Sequence, residues 1–124
     1  MCYPSARWPG LEPKDIARIA VEVASNKQAS DILMLDLHGH ASFADYFVIC
    51  SAGSTRQISS ITNDLERTLR DRGVRAHHRE GADSSGWVLV DFGDVIAHIF
   101  SPETRAYYDL EGAWSAAPQV VRIQ

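Results

Sequence analysis

Residues 87–100, with the sequence WVLVDFGDVIAHIF, decide the fold of this chain. Two runs rich in β-branched and aromatic residues flank Gly93 and Asp94, a pattern typical of two strands joined by a two-residue hairpin turn. That turn pairs Trp87 with Phe100 and fixes the register of the positions between them. Because side chains alternate between the two faces of a strand, the hairpin presents two faces of different composition.

One face of the predicted hairpin is wholly apolar and belongs on the core beneath the helices. Its members are Val88, Val90, Phe92, Val95, Ala97 and Ile99. The opposite face combines large apolar side chains with one acid and one histidine, as binding hot spots often do. The members of this second face are Trp87, Leu89, Asp91, Ile96, His98 and Phe100. Two interpretations fit it equally: an exposed docking patch, or a second core layer that further chain covers.

The segments before the hairpin predict a first helix and three more strands. The helix begins near Pro13 and carries one apolar stripe to about Asn26. Buried strands are predicted at residues 32–37 and 46–50, and a more polar edge strand at residues 74–80.

Two further helices have clear start signals. Residues 54–57 form a capping box before an apolar stripe, and Gly73 ends that helix in the left-handed conformation that a C-terminal cap requires. Ser101 and Pro102 open the last helix as its cap and its first residue. This last helix should run to about Trp114.

The predicted elements follow the order α-β-β-α-β-β-β-α in one domain. The sheet has to be mixed, because it contains both hairpins and a crossover. The fold class is therefore α/β, a single domain with a mixed five-stranded sheet flanked by helices. We place this domain at residues 12–114, between an irregular leader at residues 1–11 and an irregular tail at residues 115–124.

Composition limits the classes of function. The 124 residues, 45% apolar and 23% charged, fit one compact globular domain. A formal net charge of −4 and a sequence pI of about 5.6 argue against broad electrostatic binding to nucleic acid. No apolar run approaches the roughly 18 residues of a membrane span. Since Cys2 and Cys50 are the only cysteines, we expect a soluble protein of the reducing, cytoplasmic compartment.

Motifs for catalysis and metal binding favour a non-catalytic protein. Residues 53–54 before a helix are similar to the start of a nucleotidyltransferase site, but no later strand carries the paired carboxylates that such enzymes need. His38 with His40, and His77 with His78, have no cysteine or carboxylate complement at zinc-site spacing. We therefore predict neither a metal nor a cofactor.

The last helix carries a helix-spaced apolar set. Its members are Tyr107, Tyr108, Leu110 and Trp114. Packing of the helix onto the sheet explains most of them, and an extension of the hairpin's second face by one or more is the alternative. Arg56, Gln57 and Arg105 are lesser candidates, either for contacts at the rim of a docking patch or for helix capping and local ion pairs.

Three segments together resemble the ribosomal silencing factor (Iojap) family. Residues 45–57, DYFVICSAGSTRQ, are similar to its strand-to-helix signature, and residues 86–100 resemble its hairpin almost residue for residue. Residues 102–111, PETRAYYDLE, resemble its last helix. The resemblance covers about residues 11–114, and the combination is specific although each segment alone is a weak signal.

The resemblance implies a mixed α/β fold similar to that of nucleotidyltransferases, without the catalytic carboxylates and without enzymatic activity. It implies binding to the large ribosomal subunit through that subunit's protein fourteen. Such binding blocks joining of the small subunit and represses translation when nutrients are short. Family members can also form homodimers, and an organellar branch supports assembly of the mitochondrial large subunit.

The resemblance and the hairpin pattern together place a docking site on the hairpin's second face, extended by Tyr107 and Tyr108. Trp87 would be its apolar anchor, while Asp91 and His98 would fix the register by hydrogen bonds to the partner. Two alternatives remain open. One is a nucleotidyltransferase-like enzyme, and the other is a homodimeric ribosome assembly factor that uses the same face on itself.

Overall fold

A computed structural model describes residues 11–124, and the predicted leader therefore lies outside the described residues except for Leu11. Helices α1 and α2 are the two long helices, and α3 and α4 are two short ones near the C-terminal end. Their bounds are α1 Pro13–Asn26, α2 Thr55–Asp71, α3 Pro102–Tyr108 and α4 Leu110–Ala113. A single turn of 3₁₀ helix lies at Asp83–Ser85.

The strands form one six-stranded sheet with the order β3-β4-β5-β2-β1-β6. Their bounds are β1 Ser30–Asp36, β2 Tyr46–Ser51, β3 His78–Glu80, β4 Trp87–Asp91, β5 Val95–Phe100 and β6 Gln119–Ile123. The central pair β2 and β5 is parallel and every other pair is antiparallel. The predicted mixed α/β fold is therefore confirmed, with one strand more than expected.

The hairpin of β4 and β5 has the predicted register. Trp87 lies opposite Phe100 and Leu89 lies opposite His98. At the turn, the Phe92 N–H donates to the Val95 carbonyl over 2.8 Å. Gly93 has a φ of +97°, the left-handed conformation that glycine adopts without strain.

The helix signals in the sequence act as predicted. The Ser54 hydroxyl accepts a hydrogen bond from the Gln57 N–H at 3.1 Å, and the Gln57 side chain accepts one from the Gly53 N–H at 2.7 Å. At the other end of α2, Gly73 has a φ of +90°. The Ser101 hydroxyl accepts from the Thr104 N–H at 3.2 Å and caps α3. Gln57 is thus part of a helix cap, one of the two roles considered for it.

The irregular tail predicted at residues 115–124 is wrong, because β6 closes the sheet there. β6 pairs with β1 in antiparallel register, with Met34 opposite Val121. The side chains of residues 32–35 are buried on both faces of β1. Without β6, the edge of this apolar strand would expose unpaired backbone N–H and C=O groups, and β6 pairs with them.

Two predicted elements are shorter than expected. The edge strand begins at His78 rather than at Val74, because the Val74 N–H donates to the Leu69 carbonyl and completes the end of α2. The last helix is broken at Asp109, which has a φ of +46° and separates α3 from α4. An aspartate tolerates this left-handed conformation, and its side chain accepts from the Gly112 N–H at 3.2 Å.

The sheet carries a core on each face. The larger core packs α1 and α2 on one face and contains the predicted apolar face of the hairpin. The smaller core lies on the opposite face, where Leu33, Phe47 and Phe100 pack with the loop before β2 and with α4. The second face of the hairpin belongs to this smaller core.

Candidate docking groove on the open face of the sheet

The second face of the hairpin is buried on β5 and partly exposed on β4. Ile96, His98 and Phe100, on the central strand β5, are buried. Trp87 and Leu89, on β4, are partly exposed at the border of the smaller core. Asp91 at the end of β4 is also partly exposed.

The interpretation of this face as one exposed patch is therefore wrong for its β5 half. Rings and aliphatic chains from β1, β2 and the segment after α4 cover that half, so it is a second core layer. Phe47 packs its ring edge against His98 with centroids 4.6 Å apart. Trp114 in turn packs against Phe47 at 5.5 Å. Trp114 and Leu110 thus pack on the sheet, as predicted for most of the apolar set on the last helix.

The half-exposed part of the face lines a groove of about 310 Å³ between β4 and α3. We call this feature the β4–α3 groove. Its lining residues are Glu80, Gly81, Ser85, Trp87, Leu89, Thr104 and Tyr108. The structure therefore brings two residues of the predicted hairpin site together with one predicted residue of the last helix.

Aromatic rings form one wall of the β4–α3 groove. The Trp87 ring stacks on Phe100 with centroids 4.9 Å apart and contacts Tyr108 at 5.0 Å. Tyr108 is 55% exposed and the adjacent Tyr107 is 81% exposed. Large aromatic side chains left in solvent are unusual, and two of them beside an apolar groove are typical of an interface.

Two glycines beside the groove make close contacts that were not singled out from the sequence. Gly81 has a φ of +93°, and a Cβ there would overlap the Trp87 carbonyl oxygen. Gly86 has a φ of +86°, and a Cβ there would overlap the Thr104 hydroxyl. An isolated glycine beside a strand pattern is the sequence signal for such close approaches.

Beneath the groove, His98 is a hydrogen-bond acceptor for Trp87. The Trp87 Nε1–H donates to His98 Nδ1 over 3.2 Å. Burial lowers the pKa of His98 to about 3, so the ring is neutral at physiological pH. The other ring nitrogen, Nε2, is buried and has no hydrogen-bond partner among residues 11–124. His98 is thus placed to act on Trp87 rather than to reach a partner.

Asp91 lies at the far end of β4, where one of its oxygens is already engaged. Its Oδ1 accepts from the Gly93 N–H at 2.7 Å and so stabilises the hairpin turn. Its backbone carbonyl accepts from the His77 N–H at 2.7 Å. Asp91 does not line the β4–α3 groove.

Arg105, a candidate for either a rim contact or a local ion pair, has a buried structural position. Its side chain is buried, with 8% exposure for the residue, and pairs with Glu111 at 2.9 Å. Its Nη1 also donates to the Asp31 carbonyl at 2.7 Å and to the Ser51 hydroxyl at 2.8 Å. Arg105 therefore fixes the α3–α4 corner to β1 and β2. The ion-pair interpretation of this residue is confirmed.

The chain is similar to known proteins in sequence and in structure. Residues 11–124 match the family described as "Ribosomal silencing factor during starvation". The chain belongs to the ribosomal silencing factor family. The ribosomal silencing factor RsfS of Bacillus subtilis (strain 168) is 40% identical over 108 residues, which are 87% of this chain and 92% of that protein.

Other relatives agree in fold and in name. A crystal structure of a Chromobacterium violaceum protein superposes with a TM-score of 0.82 at 33% identity, covering 85% of this chain and 88% of that one. The mouse protein named "Mitochondrial assembly of ribosomal large subunit protein 1" is 33% identical over 98 residues, or 77% of this chain and 43% of that protein. Membership of the silencing factor family supports a ribosome-associated role in silencing or assembly.

The contacts and burial of the histidines and of Cys50 explain these side chains as parts of the structure. His38 pairs with Asp36 at 2.6 Å, and His78 pairs with Glu80 at 2.7 Å, both at the surface. Burial raises the pKa of the Cys50 thiol to about 12, so that thiol is not a nucleophile at neutral pH. Residues 11–124 contain no cluster of three or more metal-ligating side chains. In the same range, no helix has the length and hydrophobicity that crossing a membrane requires.

Proposed function

We propose that this chain docks through the β4–α3 groove on the large ribosomal subunit, at that subunit's protein fourteen, and blocks joining of the small subunit. Translation is thereby repressed, and the action is non-catalytic. It takes place in the cytoplasm, where the subunits are. The observation that carries the proposal is the groove itself, which sets the partly exposed Trp87 beside the solvent-exposed Tyr108.

The shape and composition of the groove fit a protein partner. Trp87, Leu89 and Tyr108 supply a large apolar surface that a partner's aliphatic side chain can fill. Ser85 and Thr104 supply hydroxyls at the rim. An apolar centre with a polar rim is the usual anatomy of a specific interface.

The charge of the groove favours a basic segment of a ribosomal protein over bare RNA phosphate. Of its seven lining residues, Glu80 is the one with a charge, and that charge is negative. The whole chain carries a formal net charge of −4. Complementary charge speeds encounter and fixes orientation, whereas a groove lined by no basic residue offers RNA phosphate no partner.

The decisive experiment is co-sedimentation of the purified protein with isolated large and small subunits, together with a titration of subunit joining. We expect binding to the large subunit alone, and a block of joining that is stoichiometric and independent of added nucleotide. Binding to neither subunit, or to the small one, would contradict the proposal. Cross-linking on the large subunit should identify its protein fourteen, and another cross-linked protein would refute that part.

A matched pair of variants tests the assignment to the groove. Tyr108 and Phe43 are each 55% exposed, but Phe43 packs on Trp114 outside the groove. Truncating a binding anchor costs about 2 kcal/mol, or roughly 30-fold in affinity. We expect a loss of this size for Trp87→Ala and a smaller one for Tyr108→Ala. Phe43→Ala should bind like the unmodified chain. Equal losses for Tyr108→Ala and Phe43→Ala would remove the site from the groove.

A homodimer that buries the same groove is the second candidate, favoured by the exposure of Tyr107 and Tyr108 in the single chain. A role in assembling the large subunit would follow the name of the mouse relative. Light scattering across a concentration series distinguishes the two. If a dimer forms and Trp87→Ala abolishes it, then dimer and subunit compete for one surface.

A further inference from the structure

Trp87, the proposed apolar anchor of the β4–α3 groove, makes a single side-chain hydrogen bond. Trp87 carries one hydrogen-bonding side-chain atom, the indole Nε1–H, and it donates to His98 Nδ1 at 3.2 Å. His98 lies on β5 opposite Leu89, so it is diagonal to Trp87 on the same face of the sheet. The histidine is 3% exposed and lies below the groove, beyond the reach of a partner.

The hydrogen bond fixes the position of the ring proton. Because Nδ1 accepts the indole N–H, the neutral imidazole carries its own proton on Nε2. That Nε2–H is buried and has no partner among residues 11–124. A buried donor without an acceptor destabilises a folded protein. For stability alone, an apolar side chain at position 98 would therefore serve this chain better than histidine.

Two ring contacts accompany this hydrogen bond at the Trp87 indole. The Trp87 ring lies between Phe100, at 4.9 Å and 29°, and Tyr108, at 5.0 Å and 48°. Neither of those contacts uses the indole N–H, which bonds to His98 alone. A tryptophan held in its bound orientation loses less side-chain entropy when a partner docks.

We propose that His98 is a positioning residue, whose Nδ1 holds the Trp87 indole in the orientation that a docking side chain needs. It acts from beneath the groove and does not touch the partner, in place of the direct hydrogen bond expected from the sequence. The inference rests on the function proposed above, because the effect on affinity presupposes docking at Trp87.

Two substitutions separate positioning from packing. His98→Leu fills similar space but removes both the acceptor and the unpaired donor, so its melting temperature should equal or exceed that of the unmodified chain. Its affinity for the large subunit should nevertheless fall by about fivefold to tenfold. His98→Asn places an oxygen near the position of Nδ1, and its affinity should stay within about twofold of the unmodified value. A purely structural role would instead move melting temperature and affinity together.

A second readout follows the indole directly. The Trp87 Nε1–H resonance, assigned by its loss in Trp87→Phe, should exchange slowly with solvent in the unmodified chain and in His98→Asn. It should exchange faster in His98→Leu, which frees the indole N–H. If His98→Leu does not fold, His98→Met takes its place as the variant without an acceptor.

Two results would overturn the positioning role. One is an unchanged exchange rate of the Trp87 indole in His98→Leu. The other is large-subunit affinity for His98→Leu equal to that of an unmodified chain that binds. If the unmodified chain binds neither subunit, the proposed function fails, and the indole exchange rates still decide whether His98 positions Trp87.

Discussion

Removing the Arg105 side chain should cost more stability than removing any exposed arginine of this protein. The guanidinium donates to Glu111, to the Asp31 carbonyl and to the Ser51 hydroxyl, at distances between 2.7 and 3.2 Å. Arg105→Ala leaves each of these acceptors without its donor. Breaking a buried ion pair by removing one partner costs about 3 to 5 kcal/mol. Because the Glu111 side chain keeps 27% of its exposure and can rehydrate, we expect the lower value, about 3 kcal/mol.

Urea unfolding followed by circular dichroism measures this loss. With a slope of about 1.5 kcal/mol per M for a domain of this size, the midpoint of Arg105→Ala should fall by about 2 M. Arg56, which is exposed in the first turn of α2, provides the control, and Arg56→Ala should shift the free energy of unfolding by less than about 0.5 kcal/mol. A midpoint for Arg105→Ala within that control range would refute the argument. So would a double-mutant cycle with Glu111→Gln that shows no coupling.

Three further perturbations have definite expected outcomes. The folded-state pKa of His98, about 3, lies below the ordinary value of 6.5, so below pH 6.5 the unfolded chain binds a proton that the folded chain does not. Through His98, stability should therefore fall by roughly 1 kcal/mol per pH unit from pH 6 to pH 4, and urea titrations of His98→Leu should show the overall slope reduced by that amount. Gly81→Ala forces a side chain at φ +93° against the Trp87 carbonyl and should lower the free energy of unfolding by about 2 kcal/mol, whereas a change within error would contradict the close approach. Deleting residues 119–124 uncovers the apolar edge of β1, and light scattering should detect aggregation that the full chain does not show.

The hairpin shows what a sequence can predict. The turn signal at Gly93 and the β-branched and aromatic runs on either side are local properties, so they predict the register of every pair from Trp87 to Phe100. Caps at Ser54 and Ser101 are equally local, since each involves a hydroxyl and an N–H three residues later. These parts of the fold are therefore predictable from the sequence.

The parts that were missed depend on contacts between distant segments. Alternation shows which side chains share a face, but not whether other chain covers that face, so the burial of His98 was not predictable from β5 alone. β6 contains a short, weak strand pattern, and its role becomes evident only once β1 is known to lie beside it. The sequence groups Tyr108 with the hairpin face, but it does not show that Gly81 and Thr104 complete a groove beside them.

The parallel pairing of β2 with β5 also affects the order of events in folding. Tyr46 meets Val95 only after all of α2, β3 and β4 have been placed between them, whereas β4 and β5 meet across a tight turn. Closing a long loop before its contacts form is slow, while a hairpin forms rapidly. We therefore expect the strand pair that carries Trp87 and His98 to form early and the centre of the sheet to close late. On that order, Trp87 and His98 come together before the rest of the sheet is complete.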